Sequence, residues 1–305
     1  MLVYQRDTGE LTFHDGRESA PAGATVDMFM RDGEVMGFVD AWQSGKAVGV
    51  PGAIALYKLA HDTHGKLPWA DVLEPAIRLA TEGFEVSPRL ANYLPMMAER
   101  SRLDENPGTA EYFYPGGQPL QAGDLLKNPA YANTLSRVAE EGTDAFYTGE
   151  IAAEIAAAAQ AEPNPGTLTV EDIANYQART RDVICGPFRD MSICTPSPPS
   201  SGGAQIMIAA LYDHLAADAS SQADRIAAWV DAQRLAYADR DHYFGDPDEV
   251  DIPLEDLLNP EYLSHRATER FAPGATPTPG DPGLVLRGEP TAALFSVDTT
   301  EEAAG

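Results

Sequence analysis

The sequence predicts a mixed α/β protein, a helical layer whose companion sheet is represented mainly near the ends of the chain. Strand-like patterning is confined to the first residues, the last ones and a hairpin near the middle. Nearly everything between Pro51 and Phe271 instead carries apolar residues at three- and four-residue spacing. With 44% hydrophobic residues in 305, the chain has enough apolar surface to bury a substantial core.

Met1 to Tyr4 reads as a strand, Asp7-Thr8-Gly9 as a turn, and Leu11 to Phe13 as the returning strand. A polar loop, HDGRESAPAGATVDMF, follows, and residues 35–47 have little pattern. From Pro51, Ile54, Leu56, Leu59 and Ala60 lie near one face of a helix closing at Gly65. WADVLEPAIRLATEGF is a second helix ending at Gly83, and Ser87-Pro88 is a cap and first-turn proline for a third. Helices are expected again over NPAYANTLSRVAEEG, TGEIAAEIAAAAQAE and TVEDIANY, the last capped by Thr169. ICGPFRDMSIC reads as a hairpin centred on Arg189-Asp190, followed by TPSPPSSGG and a helix over AQIMIAALYDHL. A long helix is expected from Arg225 to Tyr243, then two shorter ones in EDLLNPEYLSHRATERF. Residues 272–283 read as an exposed Pro/Gly-rich linker before a last strand, Ala292 to Val297. Both ends read as interrupted, one inside a hairpin and one inside a sheet.

Charge narrows the partners. Lys plus Arg number 21 against 47 Asp plus Glu, a net charge of −26, which argues against nucleic acid and anionic membranes. No apolar run approaches the ~20 residues of a membrane span, and no signal peptide is visible at the N-terminus. Cys185 and Cys194 would face each other across the hairpin; a disulfide is open to them, but two half-buried free thiols are the expectation. Their spacing does not suit zinc, and the six histidines suggest no metal.

Five segments carry candidate chemistry. Arg17, in a tight loop after a strand, could grip a carboxylate through a bidentate pair, although pairing with Asp15 or Glu18 is the simpler reading of those residues alone. Ser200 and Ser201 are expected to cap the next helix. Asp239, Asp241, Asp246 and Asp248 alternate as calcium ligands can, but a helix end held by Asp–Arg pairs is preferred. His61 and His64 are expected to face solvent. Thr291 heads a strand; if the chain were cut before it, its new amine could serve as base for its own hydroxyl. The same hydroxyl could make the cut by attacking the Pro290 carbonyl.

In order along the chain, DGRESAP, GVPGAIA with HGKLPWADVLEPAIRLATEGFEVSPRLA, PSPPSSGG and AYADRDHYFGDPD resemble the large subunit of γ-glutamyltranspeptidases (glutathione hydrolases). The similarity runs from about Leu2 to Val297. It implies the N-terminal-nucleophile hydrolase fold, an αββα sandwich, with 1–290 as a large-subunit-like region and 291–305 as the start of a small-subunit-like one. It implies a precursor that cuts itself and a γ-glutamyl donor such as glutathione, with water or an amino-acid or peptide acceptor. The small subunit would come from the same precursor, no cofactor is implied, and the location would be periplasmic or extracellular. This stretch by itself would be inactive.

Position by position, the resemblance makes Arg17 the residue that grips the donor's α-carboxylate. The family's cleavage pattern is Thr-Thr-His-aromatic-Ser-Val-Val-Asp. Setting Asp298 on its last residue makes Thr291 the catalytic nucleophile; setting Ser296 on its serine puts Ala292 there instead. The first alignment keeps a hydroxyl where the chemistry needs one. In either, Ala292 and Ala293 depart from the pattern. A cephalosporin-type acylase and a non-catalytic γ-glutamyl-binding homologue are the rival readings.

Overall fold

The structure, a computed structural model, describes residues 1–291; the expected last strand and Ala292 lie outside the described residues. It is a helix-rich mixed α/β protein with small two- and three-stranded sheets. The chain divides into two units, one made of Met1 with His14–Arg179 and the other of Leu2–Phe13 with Thr180 onward.

Helices dominate the first unit. Ala53–His64, Trp69–Glu82 and Pro88–Ser101 form where expected, and Ser87 caps the third by accepting the Leu90 N–H at 3.2 Å. Thr169 makes a full capping box with Asp172 over the short helix Val170–Ala174, worth on the order of 1 kcal/mol. One core gathers Val50, Tyr147, Ala152, Ala156, Ala159, Leu168 and Ile173, and a second gathers Val86, Leu94, Tyr114, Leu120 and Leu126. The alanines of Gly149–Ala159 supply one face of the first core: with no side chain beyond Cβ, they let neighbouring backbone approach closely.

The second unit begins with the expected hairpin, Leu2–Gln5 against Glu10–Asp15, in register from Leu2↔Phe13 to Gln5↔Glu10. Arg179–Arg181 adds the third strand of that sheet. The middle hairpin pairs Val183–Phe188 with Met191–Pro196, turning at Arg189, whose φ is +56°. Cys185 stands opposite Cys194 and is bonded to it, so the expectation of two free thiols is corrected. Helix Gly202–Leu215 packs on this hairpin and on Gln222–Tyr243, the longest helix among the described residues. That long helix starts before the expected Arg225, because Ser221 and Asp224 form a capping box. Met207, Leu211, Ala232, Leu235, Ala236, Leu257 and Tyr262 make its core.

The linker expectation holds only for its first half. Gly280, Pro282 and Gly283 are buried, and Pro282–Arg287 is a short helix capped by Asp281. An N-cap aspartate followed by proline at the first helical position fixes that start.

Candidate active site

In the first unit, the Arg17 loop is held at several points. Gly16 lies so close to the start of helix Ala53–His64 that a Cβ would strike the Leu56 side chain and come within 2.9 Å of the Gly52 carbonyl oxygen. Only glycine allows that approach. The Arg17 N–H donates to Asp15 Oδ1 at 3.0 Å, and the Tyr176 hydroxyl donates to the Arg17 carbonyl at 2.7 Å. Ser19 bridges Val50, and the Ala22 N–H donates to Asp172 Oδ1 at 3.0 Å. Tyr176 stacks on Tyr147, whose hydroxyl donates to the Pro51 carbonyl at 2.8 Å.

Burial first, then the Asp15 charge, pushes the Tyr176 phenol up to about 12, so it stays a donor throughout the physiological range. The Arg17 side chain is 52% exposed, and its Nε lies 3.7 Å from Glu18 Oε1. An exposed pair at that distance is weak and exchangeable. The geometry is a rigid backbone carrying a guanidinium in reach of solvent, which suits capture of a ligand carboxylate.

Thr291 is the last described residue of the second unit, and its polar atoms have defined partners. Its hydroxyl donates to Asp281 Oδ1 at 2.7 Å, and its backbone N–H donates to the same oxygen at 2.9 Å. The Gly283 N–H donates to Thr291 Oγ at 2.7 Å. A Cβ on Gly283 would lie 2.8 Å from the Thr291 nitrogen and 2.7 Å from the Glu289 carbonyl oxygen, so this approach also requires glycine. Burial would raise the Asp281 pKa, but bonds from the Leu284 N–H, from the Thr291 N–H and hydroxyl, and from the Gly283 N–H together hold it below the usual value. With the folded pKa lowered, its stabilising contribution is present above the usual carboxylate range and is lost as pH falls through the folded value. Burial and then the Asp281 charge raise the Tyr243 phenol, against a hydrogen bond with Thr291 that lowers it.

Beneath this corner lies a buried ionic network. Asp239 and Arg266 are both fully buried. Arg266 Nη2 donates to Asp239 Oδ1 at 2.8 Å and to the Thr278 carbonyl at 2.6 Å. The Tyr262 hydroxyl donates to Asp239 Oδ2 at 2.7 Å, and the Gly280 N–H donates to Oδ1 at 2.8 Å. The Tyr243 hydroxyl donates to the Gly280 carbonyl at 2.8 Å. Burial, then the Asp239 charge, raises the Tyr262 phenol, which therefore remains a donor. Every polar group finds a partner, as charges out of water require. The network fixes residues 278–280, and Asp281 is the next residue.

Asp239 thus takes the structural role preferred from sequence. Asp248 does the same, forming a two-point pair with Arg181 at 3.1 and 2.7 Å. Ser201 occupies the N-cap position of its helix, but no side-chain capping bond forms, which corrects the capping expectation. His61 and His64 are half-buried and not solvent-facing. His61 Nε2 meets the Leu67 carbonyl at 2.8 Å, and His64 Nε2 lies 3.0 Å from His14 Nε2. Asp281 and Gly283 are the site residues that sequence reasoning missed; the Asp-Pro pair was their signal.

The profile of the family described as Gamma-glutamyltranspeptidase matches residues 1–293. The Glutathione hydrolase proenzyme of Escherichia coli (strain K12) is 37% identical over 273 residues, covering 88% of this chain and 46% of that protein. The Acylase ACY 1 proenzyme of Pseudomonas sp. (strain V22) is 36% identical over 269 residues, 83% of this chain and 46% of that one. The crystal structure of Helicobacter pylori gamma-Glutamyltranspeptidase superposes with a TM-score of 0.84 at 30% identity, over 96% of this chain and 84% of that chain. The chain spans about half the length of the curated relatives it matches.

Proposed function

Because the chain belongs to the gamma-glutamyltranspeptidase family, we propose that it is the donor-binding and self-cleaving part of a glutathione hydrolase. The observation that carries this reading is the orientation of the Thr291 hydroxyl by Asp281 and Gly283, at the downstream end of the family match. Residues 1–290 correspond in this reading to a large subunit, and 291–305 to the start of a small one. Cleavage before Thr291 frees its amine. That amine takes the proton of the Thr291 hydroxyl, which attacks the γ-glutamyl amide of glutathione or a related donor. The resulting γ-glutamyl ester passes to water or to an acceptor amine.

Arg17 grips the donor's α-carboxylate in this reading. The exposed Glu18 pair gives way to a bidentate one, and the anchored loop keeps the guanidinium in place. Arg17→Leu is then expected to raise KM for a γ-glutamyl donor roughly 10- to 100-fold, the loss of one charge-assisted contact. Tyr176→Phe, which frees the Arg17 carbonyl, shifts KM the same way by less. Steady-state kinetics on a γ-glutamyl anilide checks both. A periplasmic or extracellular location accords with the bonded Cys185–Cys194 pair, since such compartments preserve disulfides.

The second reading is an acylase, favoured by the ACY 1 relative, and the acyl group separates the two. The protein expressed from its complete gene is assayed with a γ-glutamyl anilide and with the matching glutaryl anilide, which keeps the terminal carboxylate and lacks only the α-amino group. Preference for the γ-glutamyl compound supports the hydrolase reading. Equal or better turnover of the glutaryl compound contradicts it.

A further inference from the structure

We propose that Asp281 is the proton shuttle of the self-cleavage step, a catalytic residue for processing that sequence similarity does not single out. The inference rests on the reading of Thr291 as the residue that cuts the chain. Its basis is geometric. One carboxylate oxygen, Oδ1, accepts from the Thr291 hydroxyl at 2.7 Å and from the Thr291 backbone N–H at 2.9 Å. Those are the atom that must lose a proton when the chain is cut and the atom that must gain one. A single acceptor in reach of both can move the proton between them without solvent.

Thr291 Oγ attacks the Pro290 carbonyl carbon while its proton passes to Asp281 Oδ1, giving a five-membered tetrahedral intermediate with one negative oxygen. The C–N bond then breaks, the carbonyl re-forms, and the leaving nitrogen takes the proton back from Asp281. The product is an ester between Pro290 and Thr291 Oγ, with a free amine on Thr291. Water hydrolyses that ester, leaving a carboxylate on Pro290 and the hydroxyl on Thr291. Asp281 ends as it began.

Two surrounding features fit the role. The Gly283 N–H donates to Thr291 Oγ, which stabilises negative charge on the attacking oxygen. The hydrogen bonds that keep Asp281 ionised make it ready to accept a proton throughout the neutral range. Its position is set by the cap it forms on Pro282–Arg287, where Leu284 N–H donates at 3.0 Å, and by the buried network ending at Gly280.

The test follows self-cleavage of the protein made from its complete gene, by mass under denaturing conditions over time. Unmodified protein, Asp281→Asn, Asp281→Glu and Thr291→Ala are compared, with thermal unfolding of each uncut chain. Asparagine keeps an oxygen for the Leu284 and Thr291 N–H groups but cannot carry the proton. Asp281→Asn is therefore expected to cleave at least ~100-fold more slowly with little change in unfolding temperature. The rate of the unmodified protein should be flat through the neutral range and fall only at acid pH, below the usual carboxylate range, because the folded Asp281 pKa is lowered.

Cleavage of Asp281→Asn at the unmodified rate, while Thr291→Ala stays whole, overturns the shuttle and leaves the Thr291 reading standing. An unmodified chain that never cuts before Thr291 overturns both. Should Asp281→Asn fail to fold, Asp281→Glu decides: a folded variant that cleaves supports the carboxylate, and a folded one that does not overturns it.

Discussion

Asp239→Ala is expected to destabilise the second unit by about 3–5 kcal/mol, the cost of removing the buried carboxylate from a buried guanidinium whose other partner is the half-exposed Glu269. Arg266 is fully buried, and its Nη2 and Nε both point at Asp239, at 2.8 and 3.3 Å. The same change strips the acceptor from Tyr262 and from the Gly280 N–H, each left unsatisfied in the interior. Denaturant unfolding followed by fluorescence measures the loss. Replacing both partners, as Asp239→Leu with Arg266→Met, should cost less than either single change, because no fully buried charge is left and the freed Glu269 is half-exposed. The network also holds Gly280 next to Asp281, so folded Asp239 variants should self-cleave more slowly than the unmodified chain. A stability loss below ~1 kcal/mol would mean that the network does not anchor this part of the chain.

Thr291→Ala carries the other large effect. On the proposed reading, removing the hydroxyl removes the group that attacks Pro290 and, in the cut protein, the nucleophile itself. Self-cleavage and γ-glutamyl turnover are both expected to fall by roughly 1,000-fold or more. Thr291→Ser keeps a hydroxyl in reach of Asp281 and Gly283, and should retain measurable cleavage. The pair of variants separates chemistry from packing, since each loses the threonine methyl and only one loses the oxygen.

How far the sequence could be read depended on whether the relevant force was local. Ser87-Pro88 and Thr169 with Asp172 announced their helices because a cap is made within four residues. Ser221 with Asp224 carried the same signal and placed the long helix at Gln222, earlier than its apolar pattern suggested. Centring the hairpin on Arg189-Asp190 put Cys185 opposite Cys194, but no spacing rule decides whether two facing thiols are joined. Asp281-Pro282 was legible in principle. It sat in a run of prolines and glycines, and a helix as short as Pro282–Arg287 has no periodicity to display.

The sites depended on contacts that no local pattern contains. The Tyr176 hydroxyl reaches Arg17 across 159 positions, and Arg266 reaches Asp239 across 27. The sequence motifs marked Arg17 and Asp239 as residues of interest. Only folding showed that the first is held by its backbone with its head exposed, while the second is a buried anchor. Helix Ala53–His64 was drawn correctly, yet its histidines turned inward, because His14 and Trp69 offered partners that water did not outcompete.

The central claim is that Thr291 is released as a new N-terminus. Its most direct test is the intact mass of the protein expressed from its complete gene, under denaturing conditions, with N-terminal sequencing of the smaller product. Two fragments are expected, the smaller beginning at Thr291. A chain that stays whole, or a fragment that begins at another residue such as Ala292, would contradict it.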